Sequence, residues 1–175
     1  YTEFVEIELA EPMEVEKAAL ALDAALPRGI RVLAADAVDT HHAALMSQAA
    51  GASYRITLPY SKDVSAAVAE FNAAPELLFK KAAPKTKAKF KEIDVKFYIP
   101  QLTAEQTETE TIFSFDCKIT PTGSMKAVDL LNALNEQYGL ALPVEMADIE
   151  RLRLYRNNKN GKPIPMLNSD AVTLG

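Results

Sequence analysis

From residue 52 onward the apolar residues of this chain switch repeatedly between two spacings, and that succession admits few folds. Tyr54, Ile56 and Leu58 alternate with Arg55 and Thr57, the period of a strand with one buried face. Val64, Val68 and Phe71 recur at helical spacing, with Ser61 placed to cap that helix and Pro75 to end it. Two strand-like runs follow, 77–81 and 90–100, and then a third from Thr109 to Thr120. Ala127, Leu130, Leu131 and Leu134 form a second helical stripe, which Gly139 closes, and Ile149 to Tyr155 reads as the last strand. The order is β-α-β-hairpin-β-α-β. Helices lying on one face of an antiparallel sheet then imply an α+β chain with a ferredoxin-like unit over residues 52–157.

The first 51 residues read as half of a second such unit. Val5, Ile7 and Leu9 alternate with Glu6 and Glu8, which predicts a half-buried strand with an acidic outer face. Pro12 suits a helix start. Val15, Ala18, Ala19, Leu22 and Leu26 give the stripe, and Pro27-Arg28-Gly29 the stop. A strand over Ile30 to Val38 and a short helix over His41 to Ala50, anchored by Leu45 and Met46, complete a β-α-β order. The expectation is an incomplete ferredoxin-like half over 1–51, its leading strand and helix lying upstream, with a sheet edge or an apolar helix face left open. Residues 158–175 have turn chemistry and are expected to form a loose tail.

Composition excludes more than it identifies. Cys117 is the sole cysteine, so no internal disulfide or multi-cysteine metal site forms, and a reducing, cytoplasmic setting fits best. It lies in the strand-like TIFSFDCKIT, where an inert thiol is expected. No apolar run reaches the roughly 20 residues of a membrane span. There is no P-loop, GxGxxG or GxSxG. His41 and His42 are adjacent, so on a helix they point about 100° apart and do not chelate one ion. Asp23, Asp36, Asp94 and Asp116 are scattered and read as solvated or turn-forming. Arg151, Arg153 and Arg156 read as partners of acidic neighbours. No catalytic residue, metal site or cofactor site is assigned.

One segment is electrically unlike the rest. Residues 80–96 hold seven of the nineteen basic residues: Lys80, Lys81, Lys85, Lys87, Lys89, Lys91 and Lys96. Only Glu92 and Asp94 oppose them, so the segment carries +5 in a chain of net charge −5. A dipolar surface of this kind attracts a polyanion even when the whole molecule repels one. Lys80, Lys81, Lys85, Lys87, Lys89 and Lys91, with Phe90 as a stacking ring, are the candidate nucleic-acid contacts. The competing reading is a solvated hairpin whose lysines deter edge-to-edge pairing. Lys85 to Lys91 share odd numbering with the apolar Ile93, Val95, Phe97 and Ile99, so a projecting loop or a bulge near Glu92 is expected.

The segment IELAEPMEVEKAALALDAALPRGIRVL resembles the radical SAM-linked protein family, domains encoded beside or fused to B12-binding radical SAM proteins. The matching phrases are Ile7 to Leu9, Glu11-Pro12, Leu22-Asp23-Ala24-Ala25-Leu26-Pro27 and Gly29-Ile30-Arg31-Val32. Ala44-Leu45-Met46, Ala52 to Ile56 and the basic run Lys85 to Val95 extend it over roughly 3–157. The family's upstream Ser-His-Leu-Asp-Leu-like helix and Gly-Phe-Asn-Pro-His-Pro-like loop are not in this sequence. His41 and His42 stand where the family more often has Ala-Pro. The resemblance implies a radical SAM protein as partner. Together with the lysines it gives the expected function: a non-catalytic accessory module that presents an RNA substrate to that enzyme. The alternatives are an adaptor that docks on the radical SAM protein without nucleic acid, and part of an enzyme whose active site lies mainly upstream.

Overall fold

The computed structural model describes residues 2–39, 41–82 and 89–174. In chain order the elements are α1 (Val15–Ala25), β1 (Ala34–Ala35), a 3-10 turn (Leu45–Gln48), β2 (Ala49–Leu58), α2 (Ser65–Ala73), β3 (Leu78–Ala82) and β4 (Phe90–Asp94). They continue with α3 (Val95–Tyr98), β5 (Thr103–Gln106), β6 (Thr111–Thr120), β7 (Gly123–Ser124), α4 (Ala127–Tyr138), a 3-10 turn (Val144–Met146), β8 (Asp148–Asn157), β9 (Pro163–Pro165) and β10 (Val172–Thr173). The chain is α+β, and the pairs β1–β10, β2–β6, β3–β4, β5–β6 and β6–β7 are antiparallel. It divides into a first unit, Ala49–Tyr155, and a second, which joins Glu3–Gln48 to Arg156–Gly175. This boundary differs from the expected division at 51 and 157, because the tail belongs with the N-terminal segments.

The first unit is organised by one sheet whose strands run in the order β5-β6-β2-β8. The period of two in β2 and β6 determines its faces. Ala52, Tyr54, Ile56 and Leu58 stand opposite Cys117, Phe115, Phe113 and Thr111. This inner face packs against Val64 and Phe71 beside and on α2, and against Leu130, Leu131 and Leu134 of α4, in one apolar cluster. Thr111 is the polar member of that face, and its needs are met: its hydroxyl donates to the Tyr60 carbonyl at 2.6 Å and accepts from Gln106 Nε2 at 2.9 Å. Gln106 Oε1 in turn accepts the Val64 N–H. α2 begins three residues later than the sequence suggests. Asp63 Oδ1 accepts the Ser65 N–H at 2.8 Å, so the turn into the helix is made by Asp63 rather than by Ser61.

β3 and β4 form a separate two-stranded ribbon. The expected strand over 90–100 stops at Asp94, whose side chain accepts the N–H groups of Lys96 and Leu77. That capping turns the chain into the single helical turn α3, so 95–99 leave the strand parity, while Lys91 and the buried Ile93 still share a ribbon face. Ile93, Val95 and Ile99 are buried, while Phe97 is 51% exposed, because 95–99 follow helical spacing.

In the second unit the α1 stripe is as expected, with Ala19 buried and Val15, Ala18, Leu22 and Leu26 half-buried. The following strand shrinks to Ala34–Ala35, which pairs with β10. The tail is therefore not loose: β9 and β10 lie in it, Met166 is 2% exposed, and the Leu174 N–H donates to the Leu33 carbonyl. The helix expected over 41–50 is a 3-10 turn that passes straight into β2. Val5 to Leu9 form no strand, since no neighbouring segment among the described residues pairs with them.

Asp23 explains part of the phrase after α1. It accepts both from Arg31 Nε, at 2.9 and 3.0 Å, and from the Val32 N–H at 2.8 Å. The Arg31 hydrogen bond, aided by Val32, holds its carboxyl below the usual carboxylate range. A depressed folded pKa contributes stability above the unfolded value, about pH 4, that is lost as pH falls through the folded value. Asp23→Asn should therefore lower the melting temperature at neutral pH and close the gap with the parent near pH 2. An equal deficit at both pH values would contradict this linkage.

Candidate functional site

The lysine segment divides over two faces. Lys85 and Lys87 lie outside the described residues. In the ribbon Lys80 stands opposite Glu92, Lys81 opposite Lys91 and Ala82 opposite Phe90. Alternation puts Lys81 and Lys91 on the side of the buried Phe79 and Ile93, and Lys80 and Phe90 on the other. Lys80, Lys89 and Lys91 are exposed, and Phe90 is 61% exposed. Lys81 is not available in the same way: its ammonium lies 2.7 Å from Asp129 Oδ2, with both side chains mostly covered. Asp129 also accepts the Lys126 N–H at 3.3 Å in the first turn of α4. An acid there satisfies an orphan donor and the positive end of the helix. Asp129→Ala removes both bonds and leaves Lys81 without its counter-ion; it should cost about 1–2 kcal/mol in urea unfolding. A loss near zero would mean that the pair is solvated.

On the outer side of the sheet, the described positions of β2, β5 and β6 are polar or aliphatic. Register places Ser53, Arg55 and Thr57 of β2 beside Asp116, Ser114 and Ile112 of β6, with Thr103 and Glu105 of β5 beyond. Ser53 donates to Asp116, and Arg55 lies 3.8 Å from Glu150. None of these side chains is aromatic.

The second unit exposes apolar side chains in number: Val5 is 73% exposed, Ile7 55%, Leu9 46%, Met13 46%, Leu20 53%, Ile30 56% and Leu33 58%. Residues 4–9 show why. Glu6 Oε1 accepts the Leu45 N–H at 2.9 Å and lies 3.1 Å from His42 Nε2, and Phe4 on the same parity is half-buried. Phe4 and Glu6 are thus engaged by the unit, while Val5, Ile7 and Leu9, and Glu8 as well, face solvent. The expected half-buried strand is not formed, and its apolar side is not covered.

The remaining candidates have structural roles. An open groove of about 550 Å³ in the second unit is lined by Ala34, Arg156, Ile164, Pro165, Leu167 and Asn168 among others. Arg156 was expected to pair with an acid. Instead it donates to the Pro165 carbonyl, Gln48 Oε1 and Asn168 Oδ1, and Asn168 donates to Asp36. Arg153 lies over the Tyr155 ring at 5.2 Å, and Arg151 donates to the Thr2 carbonyl. The Cys117 thiol is buried, and burial pushes its pKa up, which suppresses the thiolate. Among the described residues no group of three His, Cys, Asp or Glu is placed to hold a metal, and no helix is long and apolar enough to cross a membrane.

A family model described as "Uncharacterized protein conserved in bacteria (DUF2344)" matches residues 1–130. No curated protein and no solved structure matches the chain.

Proposed function

The chain belongs to this bacterial family, and from that premise we propose that it is a non-catalytic accessory module that docks on a partner protein through its second unit. The observation that carries this reading is the exposed row Val5, Ile7 and Leu9, followed by the exposed Met13, on a segment tied down by Glu6 and the half-buried Phe4. Apolar area left in water is unfavourable by roughly 25 cal/mol per Å², and contiguous exposure of this kind marks interaction surfaces. The partner is the radical SAM protein that the resemblance implies, in the cytoplasm, where a lone thiol stays reduced. The first unit supports a ferredoxin-like reading. Its order β5-β6-β2-β8 is that of the second, third, first and fourth strands of a β-α-β-β-α-β unit, with the β3–β4 ribbon and α3 inserted after α2.

A second reading, presentation of RNA, has its own observation: Lys80, Lys89 and Lys91 are exposed, and Lys80 shares a ribbon face with the exposed Phe90. Titration separates the two. Apolar docking predicts radical SAM protein binding that persists from about 50 mM to about 500 mM salt, whereas lysine–phosphate binding falls with a slope of about 0.7–0.9 per contact. No binding of the radical SAM protein at either salt concentration sinks the docking reading. No binding of structured RNA at low salt sinks the RNA reading.

A further inference from the structure

We propose that residues 5–9 bind as an added strand on the sheet edge of the partner, an edge whose side chains alternate apolar with Lys or Arg. This inference rests on the docking reading and specifies its geometry. Three observations carry it. The segment keeps the strict alternation of a strand, Val5-Glu6-Ile7-Glu8-Leu9, yet belongs to no sheet. Among the described residues, the backbone groups of Val5 to Leu9 make no backbone hydrogen bond. Its donors and acceptors are thus open to a ladder, which is the source of affinity in strand addition. Finally, Glu6 is tied to Leu45, so the segment is held on the surface with one parity turned out.

Charge selects the partner. From Glu3 to Glu16 the chain carries six glutamates and no basic residue. Directly opposed like charges destabilise a strand pair, and opposite charges stabilise it. A second copy, pairing this segment with itself, sets glutamate against glutamate on one face. An edge that alternates apolar with basic residues matches the segment, with a cation beside the exposed Glu8 and its apolar side chains beside Val5, Ile7 and Leu9.

The test uses the whole chain and a synthetic peptide of alternating Val and Lys, with an alternating Val/Glu peptide as control, followed by amide hydrogen exchange. Strand addition predicts protection of alternate amides within 5–9, slowed at least about tenfold, by the Val/Lys peptide only. No protection, protection of consecutive amides, or equal protection by the Val/Glu peptide overturns the proposal. The radical SAM protein supplies the second arm. Ile7→Pro and Glu8→Pro remove N–H groups on opposite sides of the strand, so one should weaken binding far more than the other. If both variants bind like the parent, strand addition fails while the docking reading stands. If the parent itself does not bind, the docking reading fails and the peptide result decides strand addition.

Discussion

Replacing Phe71 with alanine should destabilise the first unit by about 3–5 kcal/mol in urea unfolding, the range of buried aromatic truncations. Phe71 is fully buried on α2 and touches the cluster that joins the helices to the sheet. It has a second task. The Lys96 ammonium lies 4.6 Å from its ring centroid while donating to the carbonyls of Pro100 at 2.6 Å and Asn72 at 3.5 Å. Burial lowers the Lys96 pKa against the opposing pull of Asp94, and the ring face adds a cation–π contact to the ammonium. Alanine removes the volume and the face together. Phe71→Leu keeps most of the volume and should cost about 1–2 kcal/mol. Losses below about 1 kcal/mol for alanine would mean that α2 does not pack as described.

Gly51→Ala is expected to cost about 2–3 kcal/mol by overpacking, although alanine is the smaller change on paper. A Cβ at Gly51 meets the Tyr155 hydroxyl, lies 2.5 Å from its ring carbon Cζ and lies 2.9 Å from the Cys117 carbonyl oxygen. The tyrosine can move; the carbonyl is part of the β2–β6 ladder and yields less. In a Tyr155→Ala background the cost of Gly51→Ala should therefore shrink without vanishing, a coupling that a double-mutant cycle measures. Full additivity would show that the ring does not occupy the glycine's space.

Legibility followed the range of the interactions. The stripe of α4 and its end at Gly139, which takes φ 64°, were readable because both are local. β2 and β6 were readable because one face of each is buried throughout. Residues 95–106 were misread. VKFYIP has strand propensity, yet Asp94 caps Lys96 and holds Leu77, a contact 17 residues back, and the chain turns helical; β5 was missed with it. Lys81 reads as a free cation until Asp129, 48 residues away, is placed beside it. The tail reads as loose because its ladder partner, Ala34–Ala35, is far off in sequence. The N-terminal segment shows the converse failure: alternation predicts strand character, but the pairing that makes a strand is never local.

The proposed docking surface can be tested by one comparison, the affinity of the proposed radical SAM partner for the parent chain and for the triple variant Val5→Ser, Ile7→Ser, Leu9→Ser. These side chains are already exposed, so the variant should melt within about 2 °C of the parent, as surface substitutions do. The account predicts binding at least about 100-fold weaker, a loss of roughly 2.7 kcal/mol. Undiminished binding by a folded variant would contradict it, and so would a collapse of the melting temperature, which would mean that the row is packed within the chain rather than presented to a partner.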